Sequence, residues 1–197
     1  MSVLGSDEDG HPVEAAIEQV LAEVAGCVRQ VSSESLAQAG DLIEAAPRIF
    51  VAGSGRSGLC MRAFGMRLMH LGMTVYIVGE TTTPRIKSQD LLILGTGSAQ
   101  SALLLKIAEM AQEQGARQLL LTAEPVSPLS ELADHTVVIP APSLKPFLAE
   151  RDFVSMQPMG SLFEQSLLIV CDSLIVALMD QIGVGLGKMR KYHANLE

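Results

Sequence analysis

The chain has 197 residues, a formal net charge of −8, 48% hydrophobic and 18% charged residues. That length holds one domain with a substantial core, and the composition excludes an intrinsically disordered chain. The acidic balance argues against a nucleic acid or an anionic membrane surface as partner, although a phosphate can still be held locally by backbone N–H groups and one or two cations.

The elements follow in chain order. Residues 12–31 predict a helix with Val13, Ile17, Val20, Leu21 and Val24 on one face, and Ser32 and Ser33 open a second helix that Pro47 stops. The texture then changes. A short apolar run at 49–52 ends in glycines, a helix is expected over 58–71, and Gly72 closes it. Strands are expected at 74–78 and 90–94, a helix at 98–114, a strand at 117–122, a short helix at 128–133 and a fifth strand at 136–139. Alternating strands and helices with nearly continuous apolar strands predict a doubly wound α/β fold, with a five-stranded parallel sheet covered on both faces. The expected strand order is the flavodoxin-like 2-1-3-4-5.

A Pro-rich loop with Pro140, Pro142, Pro146 and Pro158 leads to a long apolar helix over 161–182. Glu164, Gln165, Asp172, Ser173 and Asp180 interrupt that stretch, which fits a core or interface helix and not a membrane span. The tail, 187–197, is polar. The expected organisation is one domain over 1–197, with N-terminal helices over 1–46, an α/β core over 48–139 and a C-terminal helix and tail over 161–197. Cys27, Cys60 and Cys171 read as reduced core thiols without metal-ligand spacing. The first ten residues lack the cationic and apolar regions of a signal peptide, so the expected compartment is the cytoplasm.

Three places can carry chemistry. Gly53-Ser54-Gly55-Arg56-Ser57-Gly58 joins an apolar strand to a helix, where free N–H groups and the helix dipole favour an anion. Ser54 and Ser57 add hydroxyl donors and Arg56 a countercharge. The plainer alternative is a tight turn with a capped helix. The string also matches the dinucleotide pattern G-x-G-x-x-G, with Glu80 near the expected ribose-binding acid, but such a loop has no use for an Arg and two Ser residues.

The second place is Gly95-Thr96-Gly97-Ser98-Ala99-Gln100-Ser101, again Gly- and hydroxyl-rich and opening a helix. At the switch point of a 2-1-3-4-5 sheet both loops face one crevice, which suits a compact phosphate held from two sides. Helix capping alone is the alternative for Ser98 and Ser101. The third place is Pro158-Met159-Gly160-Ser161-Leu162-Phe163-Glu164, where Ser161 and Glu164 form a capping-box pattern. A carboxylate beside a phosphate crevice is also where a proton-transferring base is wanted. The pattern alone leaves both readings open.

These residues resemble the 6-phospho-3-hexuloisomerases of the sugar isomerase (SIS-domain) superfamily. The likeness lies in the stretch from Val51 to Gly58, Met66-Arg67-Leu68-Met69-His70-Leu71-Gly72, Val78-Gly79-Glu80-Thr81-Thr82-Thr83-Pro84, Gly160-Ser161-Leu162-Phe163-Glu164, and His193-Ala194-Asn195-Leu196-Glu197. The resemblance implies interconversion of 3-hexulose 6-phosphate and fructose 6-phosphate without metal or organic cofactor. It implies a homotetramer, a dimer of dimers, working beside hexulose-phosphate synthase in the ribulose monophosphate pathway of formaldehyde fixation or in pentose supply. Where the family's second loop commonly reads Ser-Gly-Ser-Gly-Glu-Thr, this chain has Thr96-Gly97-Ser98-Ala99-Gln100-Ser101. The hydroxyls Thr96, Ser98 and Ser101 remain for phosphate, whereas the loop Glu is gone, so Glu164 becomes the stronger candidate base. His193 and His70 are the candidates for a second acid/base, with His193 in a tail that can reach a neighbouring subunit. Two other readings are a non-catalytic sugar-phosphate sensor and a nucleotide-dependent oxidoreductase resting on Gly53, Gly55 and Gly58.

Overall fold

The computed structural model describes residues 12–142 and 155–196. The strands β1 (Ile49–Gly53), β2 (Val75–Ile77), β3 (Leu91–Thr96), β4 (Arg117–Thr122) and β5 (His135–Val138) form one parallel sheet in the order β2-β1-β3-β4-β5. All the pairings are parallel, with Ile49 opposite Val75 and Leu91, and Leu91 opposite Arg117.

The period-two alternation of the strands sorts their side chains into two cores. Ile49, Val51, Leu91, Ile93, Leu119 and Leu121 point to one face, where they meet α1 (Pro12–Val28), α2 (Ser33–Ala45), α3 (Gly55–His70) and α6 (Ser161–Gln181). Phe50, Ala52, Leu92, Leu94 and Leu120 point to the other, under α4 (Ala102–Glu113) and α5 (Pro128–Leu132). With both faces covered, β1 and β3 carry apolar residues at consecutive positions, and all of β3 is buried.

Several boundaries differ from the sequence expectation. Helix α3 begins at Gly55 and not at Gly58, because Ser54 occupies the N-cap position directly after β1. Helix α4 begins at Ala102 and not at Ser98, because residues 97–99 form a bend and Ser101 is the cap. The polar tail holds a short helix, α7 (Leu186–Tyr192), that its composition did not announce. It packs on the C-terminal part of α3, with the Tyr192 ring over Gly72.

The expected inward face of α1 is also turned. Val24 is buried, but Val13, Ile17 and Leu21 are exposed, and Glu23 and Cys27 face the core instead. Helix α6 has the length and apolar character of a membrane-spanning segment. Here Leu162, Phe163, Leu167, Val170, Cys171 and Leu174 are buried, and the helix packs against α1, α2 and α3. Its outer side exposes Ile169 and Val176. Cys27 and Cys171 are buried and Cys60 half-buried, all unbridged. Burial raises the pKa of Cys60 and Cys171, with the Glu164 charge adding to the rise at Cys60.

Candidate active site

The carboxyl ends of β1 and β3 lie side by side, Gly53 paired with Gly95. From there the chain leaves β1 toward α3 on one face and β3 toward α4 on the other, opening the switch-point crevice. The crevice is a cavity of about 530 Å³ walled by Ser54, Arg56 and Ser57 on one side and by Thr96, Gly97, Ser98, Gln100 and Ser101 on the other. Pro142, Met159, Gly160, Phe163 and Glu164 complete the lining.

The first loop is shaped by its glycines. A Cβ at Gly53 would lie 2.9 Å from the Gly58 Cα, and one at Gly58 would lie 2.8 Å from the Gly53 carbonyl oxygen. Only two glycines let strand and helix come that close, so these positions serve packing in the first place. Gly55 does not line the cavity; its φ of 58° makes the turn into α3. Ser54 is the N-cap residue, yet its side chain makes no capping bond, which leaves its hydroxyl to the cavity.

The second loop is a bend. Ala99 is buried at φ 50°, a left-handed conformation that carries strain for a residue with a Cβ. Ser101 Oγ accepts from the Leu104 N–H at 3.4 Å and so caps α4, while Thr122 Oγ1 donates to the Gly97 carbonyl at 3.4 Å and ties the bend to β4.

Glu164 enters from α6. Its helix is capped at Gly160, with no side-chain cap, and Ser161 is the first helical residue. The capping box suggested by the sequence is therefore not formed. The Glu164 carboxylate turns instead to Arg56, with Oε2 2.6 Å from Nε; the side chains are 16% and 62% exposed respectively. Oε2 is buried and makes no well-aligned hydrogen bond among the described residues, so the contact is an ion pair. The Cys60 thiol donates to the Glu164 backbone carbonyl at 3.3 Å and ties the start of α6 to α3. A cation from one loop and a carboxylate from a distant helix thus share the cavity with two sets of hydroxyls, an arrangement suited to a phosphate with a reactive carbon chain.

The two histidines meet each other elsewhere. The His70 and His193 rings stack at 5.3 Å, and Arg67 Nη1 donates to His70 Nδ1 at 3.3 Å. His70 is buried at the end of α3 opposite the cavity, about 22 Å along the helix from Gly55. Neither ring lines the cavity of its own chain. Glu80 pairs with Arg62 at 2.6 Å on the surface and also lies outside it. Among the described residues no group of three or more His, Cys, Asp or Glu side chains is placed to hold a metal. The Arg56–Glu164 pairing had no signal in the sequence, since residues more than a hundred positions apart carry no local pattern for their meeting.

The sequence matches the model of the SIS domain over residues 42–169. It is 42% identical over 175 residues to the 3-hexulose-6-phosphate isomerase of Mycobacterium gastri, covering 89% of this chain and 86% of that one. It is 38% identical to the enzyme of the same name from Bacillus subtilis, covering 92% and 97%. Among solved structures, a hypothetical protein from Methanococcus jannaschii, whose structure infers a 3-hexulose-6-phosphate isomerase function, superimposes with a TM-score of 0.80 at 32% identity over 92% of this chain and 99% of that one. The matched stretch runs from α2 through the first turns of α6 and includes every loop that lines the cavity, and on these grounds the chain belongs to the SIS domain family.

Proposed function

We propose that the protein is a 6-phospho-3-hexuloisomerase that interconverts 3-hexulose 6-phosphate and fructose 6-phosphate. The observation that carries the reading is the Glu164 carboxylate standing in one cavity with Arg56 and the hydroxyls of both loops. The relatives named 3-hexulose-6-phosphate isomerase support it by their identity over most of the chain.

In this reading Ser54, Arg56, Ser57, Thr96, Ser98, Ser101 and the first-turn N–H groups of α3 hold the phosphate. Glu164 removes the proton at C2 of the 3-ulose. The electron pair forms the C2–C3 double bond of a cis-enediol, the O3 oxygen takes a proton, and O2 gives one up as the C2 carbonyl forms. Glu164 then returns its proton to C3, so one base serves both carbons.

A second acid/base is needed for the oxygens. His193 and His70 remain the candidates, and since both lie at the other end of α3 from their own cavity, His193 serves only by reaching a neighbouring subunit's site. The exposed apolar residues Val13, Ile17 and Leu21 of α1 and Ile169 and Val176 of α6 support such an assembly, and the family resemblance favours a tetramer, a dimer of dimers. Light scattering is expected to give a multiple of the 21.0 kDa chain mass; a monomer across working concentrations would remove the subunit-bridging role of His193. The reading further takes the chain as one domain in the cytoplasm, acting beside hexulose-phosphate synthase in the ribulose monophosphate pathway and needing no cofactor.

The test is turnover of 3-hexulose 6-phosphate with no added cofactor, combined with Glu164→Gln. The variant is expected to fold and to bind fructose 6-phosphate, and to lose about 10²–10⁴ in the rate at which the C3 proton of fructose 6-phosphate exchanges with deuterated buffer. Exchange at the parent rate would make Glu164 a bystander and send the search to His193. Binding without any exchange in the parent protein would favour the non-catalytic sensor, and turnover that required a nicotinamide would favour the oxidoreductase.

A further inference from the structure

Helix α1 buries an acid that the cavity does not use. Glu23 is 8% exposed, and among the described residues no cation pairs with it. Its carboxylate instead accepts from Ser155 Oγ at 2.5 Å, from the Met156 backbone N–H at 3.0 Å and from Gln157 Nε2 at 3.0 Å, with a longer bond from Gln19 Nε2 at 3.4 Å. Three of these donors are consecutive residues. The Gln157 backbone N–H closes a ring by donating to Ser155 Oγ at 3.0 Å, and the Gln157 amide oxygen, buried, makes no hydrogen bond among the described residues. The Gln157 side chain is therefore oriented by Glu23 and by nothing else among those bonds.

A buried carboxylate whose donors among the described residues are all neutral is an expensive way to fix a helix, and an apolar residue at this place would pack at lower cost. It does have one property an apolar residue lacks, which is to define the position of three successive residues to within hydrogen-bond tolerance. The segment so fixed runs directly into Met159 and Gly160, which line the cavity, and Gly160 is the cap of α6. Glu164 lies one turn further, and its backbone N–H donates to the Gly160 carbonyl at 3.0 Å. Burial alone would raise the pKa of Glu23, but the hydrogen bonds from Ser155, Met156, Gln157 and Gln19 outweigh it and lower the pKa, so the acceptor stays charged at neutral pH.

We infer that Glu23 is a positioning residue: by clamping Ser155, Met156 and Gln157 it sets the entry of the chain into α6 and with it the place of the Glu164 carboxylate over the substrate. The inference rests on the reading of Glu164 as the base. It predicts a defect confined to the proton-transfer step, because the phosphate is held by loops from β1 and β3 that Glu23 does not touch. A displacement of a base by about 1 Å costs up to about 10²-fold in rate.

The test uses Glu23→Gln in the full chain, with two measurements on the same sample. Exchange of the C3 proton of fructose 6-phosphate with deuterated buffer, per folded molecule, is expected to fall at least about tenfold, while the dissociation constant of fructose 6-phosphate stays within about threefold. The swap variant Glu23→Gln with Gln157→Glu returns one acceptor facing one donor and is expected to recover part of the exchange. If Glu23→Gln does not fold, Ser155→Ala removes the shortest bond from the loop side and carries the same expectation. An unchanged exchange rate, with only the melting temperature lowered, overturns the inference and makes Glu23 a purely structural residue. An equal loss of affinity and exchange also overturns it, since the whole cavity would then depend on the clamp. Glu164→Gln, run beside these, separates the two ideas: retained exchange there removes the base itself, whereas lost exchange there with normal exchange in the Glu23 and Ser155 variants removes the clamp alone.

Discussion

The first hydroxyl-rich loop passes directly from β1 into α3, whereas the second crosses a bend at residues 97–99 before α4 begins at Ala102. In the first, Gly55 is already helical, so the unpaired N–H groups of the helix start stand beside the cavity together with Ser54, Arg56 and Ser57. In the second, Ser101 Oγ accepts from the Leu104 N–H, and the helix start is partly satisfied by its own cap. The two serines at matching positions thus have different duties. Ser54 sits at a cap position without capping, and Ser101 caps while its O–H remains available to donate. Two segments of similar composition become one anchor built on a helix N-terminus and one built on side chains and a bend.

The largest effects expected from this comparison are on binding. Ser57→Ala and Ser98→Ala each remove a hydroxyl from opposite walls of the cavity, and each is expected to weaken fructose 6-phosphate binding by about 1.5–3 kcal/mol, the range of a hydrogen bond to a charged group. Isothermal calorimetry measures both. A loss in Ser57→Ala alone would leave the phosphate to the helix end and make the second loop a bystander. Unchanged affinity in both variants would remove the two-loop site altogether.

Smaller effects separate the two cap positions. Ser101→Ala is expected to lower unfolding stability by about 1 kcal/mol, the usual consequence of losing an N-cap acceptor, whereas Ser54→Ala, whose hydroxyl caps nothing, is expected to cost no more than a few tenths. Urea unfolding of the two variants without ligand reads the difference. Equal losses would mean that Ser54 caps α3 in solution and that the two helix starts are alike.

The same contrast shows what a sequence discloses. The parallel sheet was legible because 49–52, 91–94 and 119–121 are continuous apolar runs, and burial on both faces demands that pattern. The two loops were legible as a pair because the 2-1-3-4-5 order brings the ends of β1 and β3 together. What escaped depends on contacts between distant segments. Ser161 and Glu164 spell a capping box, yet Gly160 takes the cap and Arg56 takes the carboxylate. Helix α1 shows an apolar stripe through Val13, Ile17 and Leu21, yet tertiary hydrogen bonds from Ser155, Met156 and Gln157 turn Glu23 inward and leave the stripe outside. Helix α7 has few apolar residues and rests on the fit of Tyr192 over Gly72, which no periodicity reveals.

A small net effect, left by opposing contributions, is expected at Ala99, where the family's second loop commonly has glycine. At φ 50° its Cβ is strained by about 1–2 kcal/mol, which glycine would relieve. Against that stands the loss of a methyl group from a site only 3% exposed, where it packs with the core formed by Phe50, Leu92 and Leu104 and contributes about 0.8 kcal/mol. Glycine also makes the unfolded chain more disordered, a further penalty of about 0.4–1 kcal/mol. These terms nearly cancel, so Ala99→Gly is expected to change stability by less than about 1 kcal/mol in either direction. Affinity for fructose 6-phosphate is expected to stay within about threefold, because the cavity in this loop is lined by the flanking Ser98 and Gln100 and not by Ala99 itself. Thermal unfolding and calorimetry of one variant check both. A tenfold or larger gain in affinity would show that the alanine holds the bend away from its binding shape, and that the second loop, unlike the first, is not preformed for phosphate.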